Sequence, residues 1–287
     1  MKFSTPLRYP GGKGKLADFM KLVFEENNLY DGYYVEPYAG GAGIAFNLLF
    51  EEYTSHVFIN DLNKSVYAFW HCVLNDTDNL IRLINDTEVT MKEWHKQKAV
   101  QDNVDSHSKI ELGFSTFFLN RTNRSGIIKG GVIGGKKQTG KWKIDARYNK
   151  DDLKNRIVKI AKYKERISLS NTDAHEFITT TLPTLPKSTL VYLDPPYYVK
   201  GGGLYENHYT HNDHIAISKL VRSKIEQPWI VSYDNHSEIL KMYASFHHKA
   251  YQVNYSAQDR YRGTELMFFS KKLKVPNVPD PARVKAA

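Results

Sequence analysis

An apolar run of four residues, Leu190-Val191-Tyr192-Leu193, ends abruptly in Asp194-Pro195-Pro196-Tyr197. The run reads as a buried parallel strand. Two consecutive prolines remove two backbone donors and fix φ at both positions, so the strand cannot continue past them. The backbone leaves it stiff and exposed at the carboxyl end, the edge at which open α/β sheets bind ligands. A carboxylate and a proline carbonyl then face one crevice with an aromatic ring close by. Such an acceptor pair and ring suit an exocyclic amine on a flat base. Taken alone, the tetrapeptide reads equally as a strand-ending turn with a surface aspartate.

The stretches before it repeat the same grammar. Gly12 to Asn27 opens with glycines and continues as an amphipathic helix, with Leu16, Phe19, Leu22 and Val23 on one side. Tyr33 to Glu36 reads as a strand, Gly43 to Phe50 as the start of a helix, and His56 to Ile59 as a strand ending at Asn60-Asp61. Helical spacing returns over Ser65 to Leu74. Strand, glycine turn, helix, strand is the outline of a right-handed βαβ unit. From about Asp76 to Ala161 the alternation breaks. Helical stretches (Asn79 to Asn85, Lys109 to Leu119) lead there into a glycine-rich basic loop, Gly126 to Lys141. Strands resume at Ile167 to Ser170, Leu190 to Leu193 and Trp229 to Ser232, with a helix at His211 to Ser223. Tyr251 to Tyr255 and Leu266 to Ser270 are expected to form a closing antiparallel pair, and the tail beyond Lys274 to be frayed. An α/β fold with an inserted segment follows.

Charge separates that insertion from the rest. The chain has 40 Lys and Arg against 31 Asp and Glu, a net charge of +9. Between Arg121 and Arg166 lie 15 basic and 4 acidic residues, while the other 241 residues carry 25 basic and 27 acidic ones. A solvated helix face mixes signs, so an excess confined to one segment points to a polyanion partner. No apolar run approaches the roughly 20 residues of a membrane span, and the amino end lacks a signal-peptide pattern. The single cysteine, Cys72, excludes an internal disulfide and a cysteine cage for a metal. A soluble, reducing compartment, the cytoplasm, is expected.

Other stretches carry chemistry beside Asp194. Val35-Glu36-Pro37-Tyr38-Ala39-Gly40-Gly41-Ala42-Gly43 leaves a strand and enters a helix through glycines that let the backbone approach a ligand. Asp61 lies 18 residues after Gly43, near the ~20-residue spacing at which an acid bonds a ribose hydroxyl in nucleotide-binding units. The pattern is not the phosphate-cradling G-x-G-x-x-G, and no Walker lysine follows. A ligand with a ribose and no pyrophosphate fits better, and S-adenosylmethionine is one. Arg8-Tyr9-Pro10-Gly11-Gly12-Lys13 offers backbone donors for a carboxylate, with Lys13 adding charge, and reads equally as a helix-start turn. Within Phe117 to Gly126, Asn120, Arg121, Asn123 and Arg124 are of the types that make bidentate bonds to adenine and guanine edges, with Ser125 beside them. Lys136, Lys137, Lys141, Lys143 and Arg147 suit phosphates. A polar turn after an apolar helix is the plainer alternative. His208, His211 and His214 drift around a helix without a carboxylate-rich shell, so no metal site is expected. No serine lies in a nucleophile elbow, and Cys72 lies in an apolar helix.

Taken in order, the G-G-K element, the glycine-rich turn with its following acid, the basic insertion and D-P-P-Y resemble the N6-adenine-specific DNA methyltransferases of the DNA adenine methylase type, alpha group. The resemblance runs from Arg8 to about Lys272. It implies a Rossmann-like seven-stranded methyltransferase sheet, mostly parallel with a reversed last strand, and an inserted, mainly helical target-recognition region. Residues 1-75 and 166-274 would form the methyltransferase domain, 76-165 the insertion, and 275-287 a flexible tail. S-adenosylmethionine would be the methyl donor and double-stranded DNA the substrate. Carried over by position, Asp194, Pro195 and Tyr197 would be the catalytic motif with Pro196 as spacer. Tyr9, Gly12, Lys13, Glu36, Tyr38, Gly40, Asp61 and Asp194 would line the donor site, with Asp173 facing the donor's adenine end. Asn120 to Ser125 would lie in the recognition region. One departure stands out: the usual turn is aromatic-x-Gly-x-Gly, and Ala42 takes the second glycine place, flanked by Gly41 and Gly43.

The implied chemistry asks Asp194 and the Pro195 carbonyl to accept the two hydrogens of an adenine amine whose lone pair is delocalised into the ring. Proton loss follows methyl transfer, so a raised pKa at Asp194 is not required. Rival readings within the class act on a base in RNA, on cytosine or on a glutamine amide. The last two more often have Ser or Asn in place of Asp194. A rival outside it is a DNA-binding protein that has lost catalysis, against which the intact D-P-P-Y and Asp61 argue. Restriction-linked and solitary or phage-encoded roles both stay open. So do a cognate restriction endonuclease encoded elsewhere and a monomeric or weakly dimeric state.

Overall fold

The computed structural model describes residues 4–8, 13–199, 209–255 and 261–285. The chain forms two compact units, one of Met1–Gly12 and Asn63–Glu165, the other of Lys13–Leu62 and Arg166–Ala287.

The second unit holds a seven-stranded sheet: β1 (Tyr33–Glu36), β2 (His56–Asn60), β3 (Ile167–Ser170), β4 (Leu190–Leu193), β5 (Trp229–Asp234), β6 (His247–Tyr255) and β7 (Tyr261–Phe269). Their order is β3-β2-β1-β4-β5-β7-β6. The first five run parallel, and β7 is antiparallel to both β5 and β6. The expected seven-stranded, mostly parallel sheet with a reversed last strand is therefore present. β4 is buried at all four positions and β5 at all six, as strands covered on both faces require. Their side chains meet Val35 of β1, Phe268 of β7, Ile217 and Val221 of the helix His211–Lys224, and Phe177 and Ile178 in one core. On the amino-terminal side, α1 (Ala17–Glu26) packs on α2 (Gly43–Phe50). Strand order reverses between β1 and β4, so residues just past their carboxyl ends border the switch-point crevice of an open sheet.

The first unit is helical: α3 (Lys64–Asn75), α4 (Thr77–Asp86), α5 (Met91–Asp102), α6 (Lys109–Thr122) and α7 (Lys150–Ala161). Side-chain caps start four of them. Asn63 accepts from Ser65 and Val66, Thr90 from Glu93, and Asn149 from Asp152, while Ser108 and Glu111 form a reciprocal capping box. Every residue of α6 from Leu112 to Thr122 is buried, so the helix lacks a solvent face over that length. Its polar side chains are satisfied internally: Ser115 donates to the Gln97 carbonyl and Thr116 to that of Ser65.

Two expectations of organisation differ from what is observed. α3 groups with the helical unit because it packs along α6, which moves the division from residue 76 to Asn63. The described part of the tail is docked where fraying was expected: Pro281 is buried and Lys249 donates to the Val278 carbonyl. Among the described residues no helix is long and apolar enough to cross a membrane.

Gly113 shows how closely α3 and α6 approach. A methyl group there would lie 2.8 Å from both the Ala68 carbonyl oxygen and Cys72 Sγ. Alanine gains up to about 1 kcal/mol of helix propensity over glycine, whereas forcing atoms into a packed contact costs about 1–3 kcal/mol. Gly113→Ala is therefore expected to lower the melting temperature; an unchanged or higher value would show that α3 and α6 can separate without cost.

Candidate active site

Asp194 follows the last residue of β4, and its side chain keeps 21% of its exposure. Lys13, in the 3-10 turn Lys13–Leu16, reaches it from 181 residues away. Lys13 Nζ donates to Asp194 Oδ2 at 3.0 Å and lies 2.9 Å from Oδ1. It also lies 3.3 Å from Glu265 Oε2, contacts the Tyr197 hydroxyl, and sits 4.9 Å from the centre of the Tyr197 ring. Burial alone would lower the pKa of this amine. The Asp194 and Glu265 carboxylates outweigh it and hold Lys13 charged, well above the ordinary lysine value. Burial likewise pushes Asp194 up to about 6, against the pull of Lys13, with the charge of Glu265 adding to the rise.

The motif segment is held from the neighbouring strands. Tyr197 is buried, and its hydroxyl donates to Glu265 Oε1 at 2.6 Å. The Tyr198 and Val199 amides donate to the two carboxylate oxygens of Asp234, the last residue of β5, at 2.9 and 3.0 Å. Pro195 is buried and Pro196 half-buried between these anchors.

Residues expected at the donor side gather at the carboxyl ends of β1, β2 and β3. Glu36 ends β1, is buried, and accepts from the Ala45 amide of α2. Burial pushes it up to about 8, so it is mostly protonated at neutral pH. Asp61, just past β2, accepts from the Gly40 amide at 2.8 Å, which ties the glycine turn to the second strand. Asn171 in turn donates to the Asp61 and Leu62 carbonyls. Tyr38 shares a hydroxyl contact of 2.9 Å with Tyr209, whose own hydroxyl is pushed up to about 12 by burial, with Asp173 contributing. Asp173 accepts from the His175 amide. Gly40 has φ 47°, and so does Ala42, the residue in the second glycine place. The turn thus keeps a left-handed conformation there although alanine adopts it at a cost of about 1–2 kcal/mol. Tyr9 and Gly12 lie outside the described residues, as does His208. Among the described residues no cluster of His, Cys, Asp and Glu is placed to hold a metal.

The stretch expected to read bases divides. Asn120 donates to the Arg8 and Gly126 carbonyls and accepts from the Arg8 amide. Arg121 donates to the Arg147 and Pro6 carbonyls, and burial next to Arg8 lowers its pKa to about 9. Asn123 accepts from the Trp94 indole and donates to the Ile127 and Ile128 carbonyls. All three are buried and spent on their own unit, a correction to the expectation that they face base edges. Their spacing marks the end of α6, which runs three residues beyond the expected Leu119. Arg124, Lys136, Lys137, Lys141 and Arg147 are exposed, and Ser125 is half-buried at φ 56°. Trp142, 64% exposed, projects from the same basic loop beside Lys141.

Glu265 and Asp234 were not singled out from the sequence. Each had a faint signal, a lone carboxylate bordering an apolar run (Leu266-Met267-Phe268-Phe269, and Trp229 to Tyr233).

A family model described as D12 class N6 adenine-specific DNA methyltransferase matches residues 9–257. The chain belongs to that family. A relative of this DNA methyltransferase, the Type II methyltransferase M.MjaIII of Methanocaldococcus jannaschii, is 23% identical over 212 residues, covering 69% of this chain and 70% of its own. Two solved structures are also similar. The rRNA methyltransferase aviRa of Streptomyces viridochromogenes has 10% identity, a TM-score of 0.41, and coverage of 92% of this chain and 88% of its own. A precorrin-6y C5,15-methyltransferase of Geobacter metallireducens has 10% identity, a TM-score of 0.36, and coverage of 87% and 86%.

The Asp194 carboxyl, raised to about 6, is neutral below that value. On the expectation that it accepts from the substrate amine, protonation removes that acceptor. Turnover is expected to fall as pH drops through about 6. A limb near the ordinary carboxylate value of about 4 in the pH–rate profile would show that burial does not govern this group.

Proposed function

We propose that this methyltransferase uses S-adenosylmethionine to methylate the N6 amine of an adenine extruded from duplex DNA, with Asp194 and the Pro195 carbonyl as the acceptors that orient the amine. The contact between Lys13 Nζ and Asp194 carries the reading. An internal N–H donor already sits 2.9 and 3.0 Å from the two carboxylate oxygens and against the Tyr197 hydroxyl, as the amine of an adenine would at Asp194.

The donor set at the carboxyl ends of β1, β2 and β4 suits a cation with a ribose. Asp61 is fixed by Gly40 at the spacing for ribose hydroxyls, Glu36 and Asp194 are carboxyls near the strand-order reversal, and the turn at Gly40 to Ala42 brings backbone close. When bound, S-adenosylmethionine supplies an electrophilic methyl on a sulfonium that leaves as a neutral thioether. Accepting both amine hydrogens draws the nitrogen toward tetrahedral geometry and frees its lone pair. Alignment of that lone pair then supplies much of the rate. The proton leaves after transfer, when the nitrogen is far more acidic. Extruding the base costs a few kcal/mol, and the Tyr197 ring offsets part of this by stacking once Lys13 withdraws from it.

On the nucleic acid side, the reading assigns phosphate contacts to Lys136, Lys137, Lys141 and Arg147, and base-edge or stacking contacts to Arg124, Ser125 and Trp142. Asn120, Arg121 and Asn123 hold the loop that presents them. A role beside a cognate restriction endonuclease belongs to the same reading, and the Type II methyltransferase named among the relatives is in keeping with it.

Asp194→Ala is expected to abolish transfer of labelled methyl to unmethylated DNA while donor and DNA affinity stay within about tenfold; full activity in that variant would remove Asp194 from the chemistry. Replacing Lys136, Lys137 and Lys141 with glutamine should flatten log K against log salt by about one unit for each lysine on a phosphate. An unchanged slope would take the loop out of the interface.

A further inference from the structure

Glu265 lies at the centre of a row across the sheet. Its register partners are Asp234 on β5 and Tyr251 on β6. Asp234 holds the backbone after the catalytic tetrapeptide through the Tyr198 and Val199 amides. Glu265, fully buried, accepts from Tyr197 at 2.6 Å with one oxygen and from Tyr251 at 2.5 Å with the other. The second oxygen also stands 3.3 Å from Lys13 Nζ. Cross-strand partners share a face of the sheet, so both carboxylates work on the same segment from the same side.

We propose that Glu265 is a positioning residue for methyl transfer, fixing the Tyr197 ring by its hydroxyl and holding the Lys13 ammonium when Asp194 turns to the substrate amine. Lys13 cannot withdraw from Asp194 into an apolar core as an unpaired cation. Glu265 gives it a second anionic partner already in place, so Asp194 can exchange one N–H donor for another. The inference rests on the proposed methylation of adenine, and its geometry involves only the second unit.

Among the described residues, the charged and titratable groups that act on Asp194 are Lys13 from the amino-terminal turn, Tyr34 and Glu36 from β1, Tyr192 from β4, Tyr233 from β5, Tyr251 from β6, and Glu265 from β7. Glu265→Gln removes one negative charge from this set and nearly conserves shape. Asp194 then ionises more readily, so the acidic limb of turnover moves to lower pH. At the same time Lys13 binds Asp194 more tightly, and turnover on its plateau falls.

The test uses the full chain with labelled S-adenosylmethionine and unmethylated genomic DNA. Expected for Glu265→Gln are a fall in kcat of about tenfold or more, donor affinity within about threefold, and an acidic limb displaced to lower pH. Wild-type kcat, or a loss of kcat with the limb in its wild-type place, overturns the proposal. Should Glu265→Gln fail to fold, Tyr197→Phe keeps the ring and removes the hydroxyl that Glu265 holds. A several-fold fall in kcat with donor affinity kept then supports the proposal, and wild-type kcat overturns it. Failure of the wild-type chain to methylate adenine would overturn the proposed function itself, a result distinct from either variant's behaviour.

Discussion

A buried ammonium shared by two carboxylates organises the carboxyl edge of the sheet. Removing Lys13 from water is unfavourable, and the two acids that make it tolerable come from β4 and β7, on either side of β5. The position of the amino-terminal turn, the attitude of the Tyr197 ring and the ionisation of Asp194 all depend on this contact. Excellent geometry is a condition of such a cluster, because any partner left unpaired in a buried setting is costly. Strong backbone restraint supplies it: two prolines stiffen the exit from β4, and Asp234 pins the amides beyond them.

The helical unit solves a different problem. α6 is buried from Leu112 onward and yet leads out through Asn-Arg-Thr-Asn, four polar residues that must find partners without water. Thr122 donates to the Phe118 carbonyl within the helix, and the other three hold carbonyls of irregular chain: Asn120 grips Arg8 and Gly126, Arg121 grips Pro6 and Arg147, and Asn123 grips Ile127 and Ile128. Gly126 is confined further, since a side chain there would meet the Arg8 carbonyl at 2.2 Å. A glycine-rich basic loop with little apolar content of its own is thereby given a defined path from within.

Much of the sheet was legible because its strands are short apolar runs closed by Asp, Asn or Pro, and period alone separates them from the helices between. Asp194, Lys13 and Asp61 were legible as a set through the order of their motifs. α5 escaped notice because Gln97 and Gln101 occupy its buried face, which erases the apolar stripe. α7 carried a signal that its charge obscured: Asn149 caps it, acids open it, and Leu153, Ile157 and Ile160 recur on one side. The base-reading role given to Asn120, Arg121 and Asn123 failed for a physical reason, since residue type says what a side chain can bond and burial decides what it does bond. Glu265 needed the register of β7 against β5 and β6, which pairs residues distant in sequence.

β2 and β3 are hydrogen-bonded neighbours, with Val57 opposite Ile167 and Asn60 opposite Ser170, yet about a hundred residues of chain separate them. Arg166 clamps the returning chain to Ser55 and Thr54 beside the start of β2. The sheet therefore closes over whatever lies between these strands, and the cost of closing a loop grows only slowly with its length. The intervening segment can thus be exchanged, lengthened or shortened while the pairing of β2 with β3 is kept, so a lineage can vary what lies between the two strands without rebuilding the sheet.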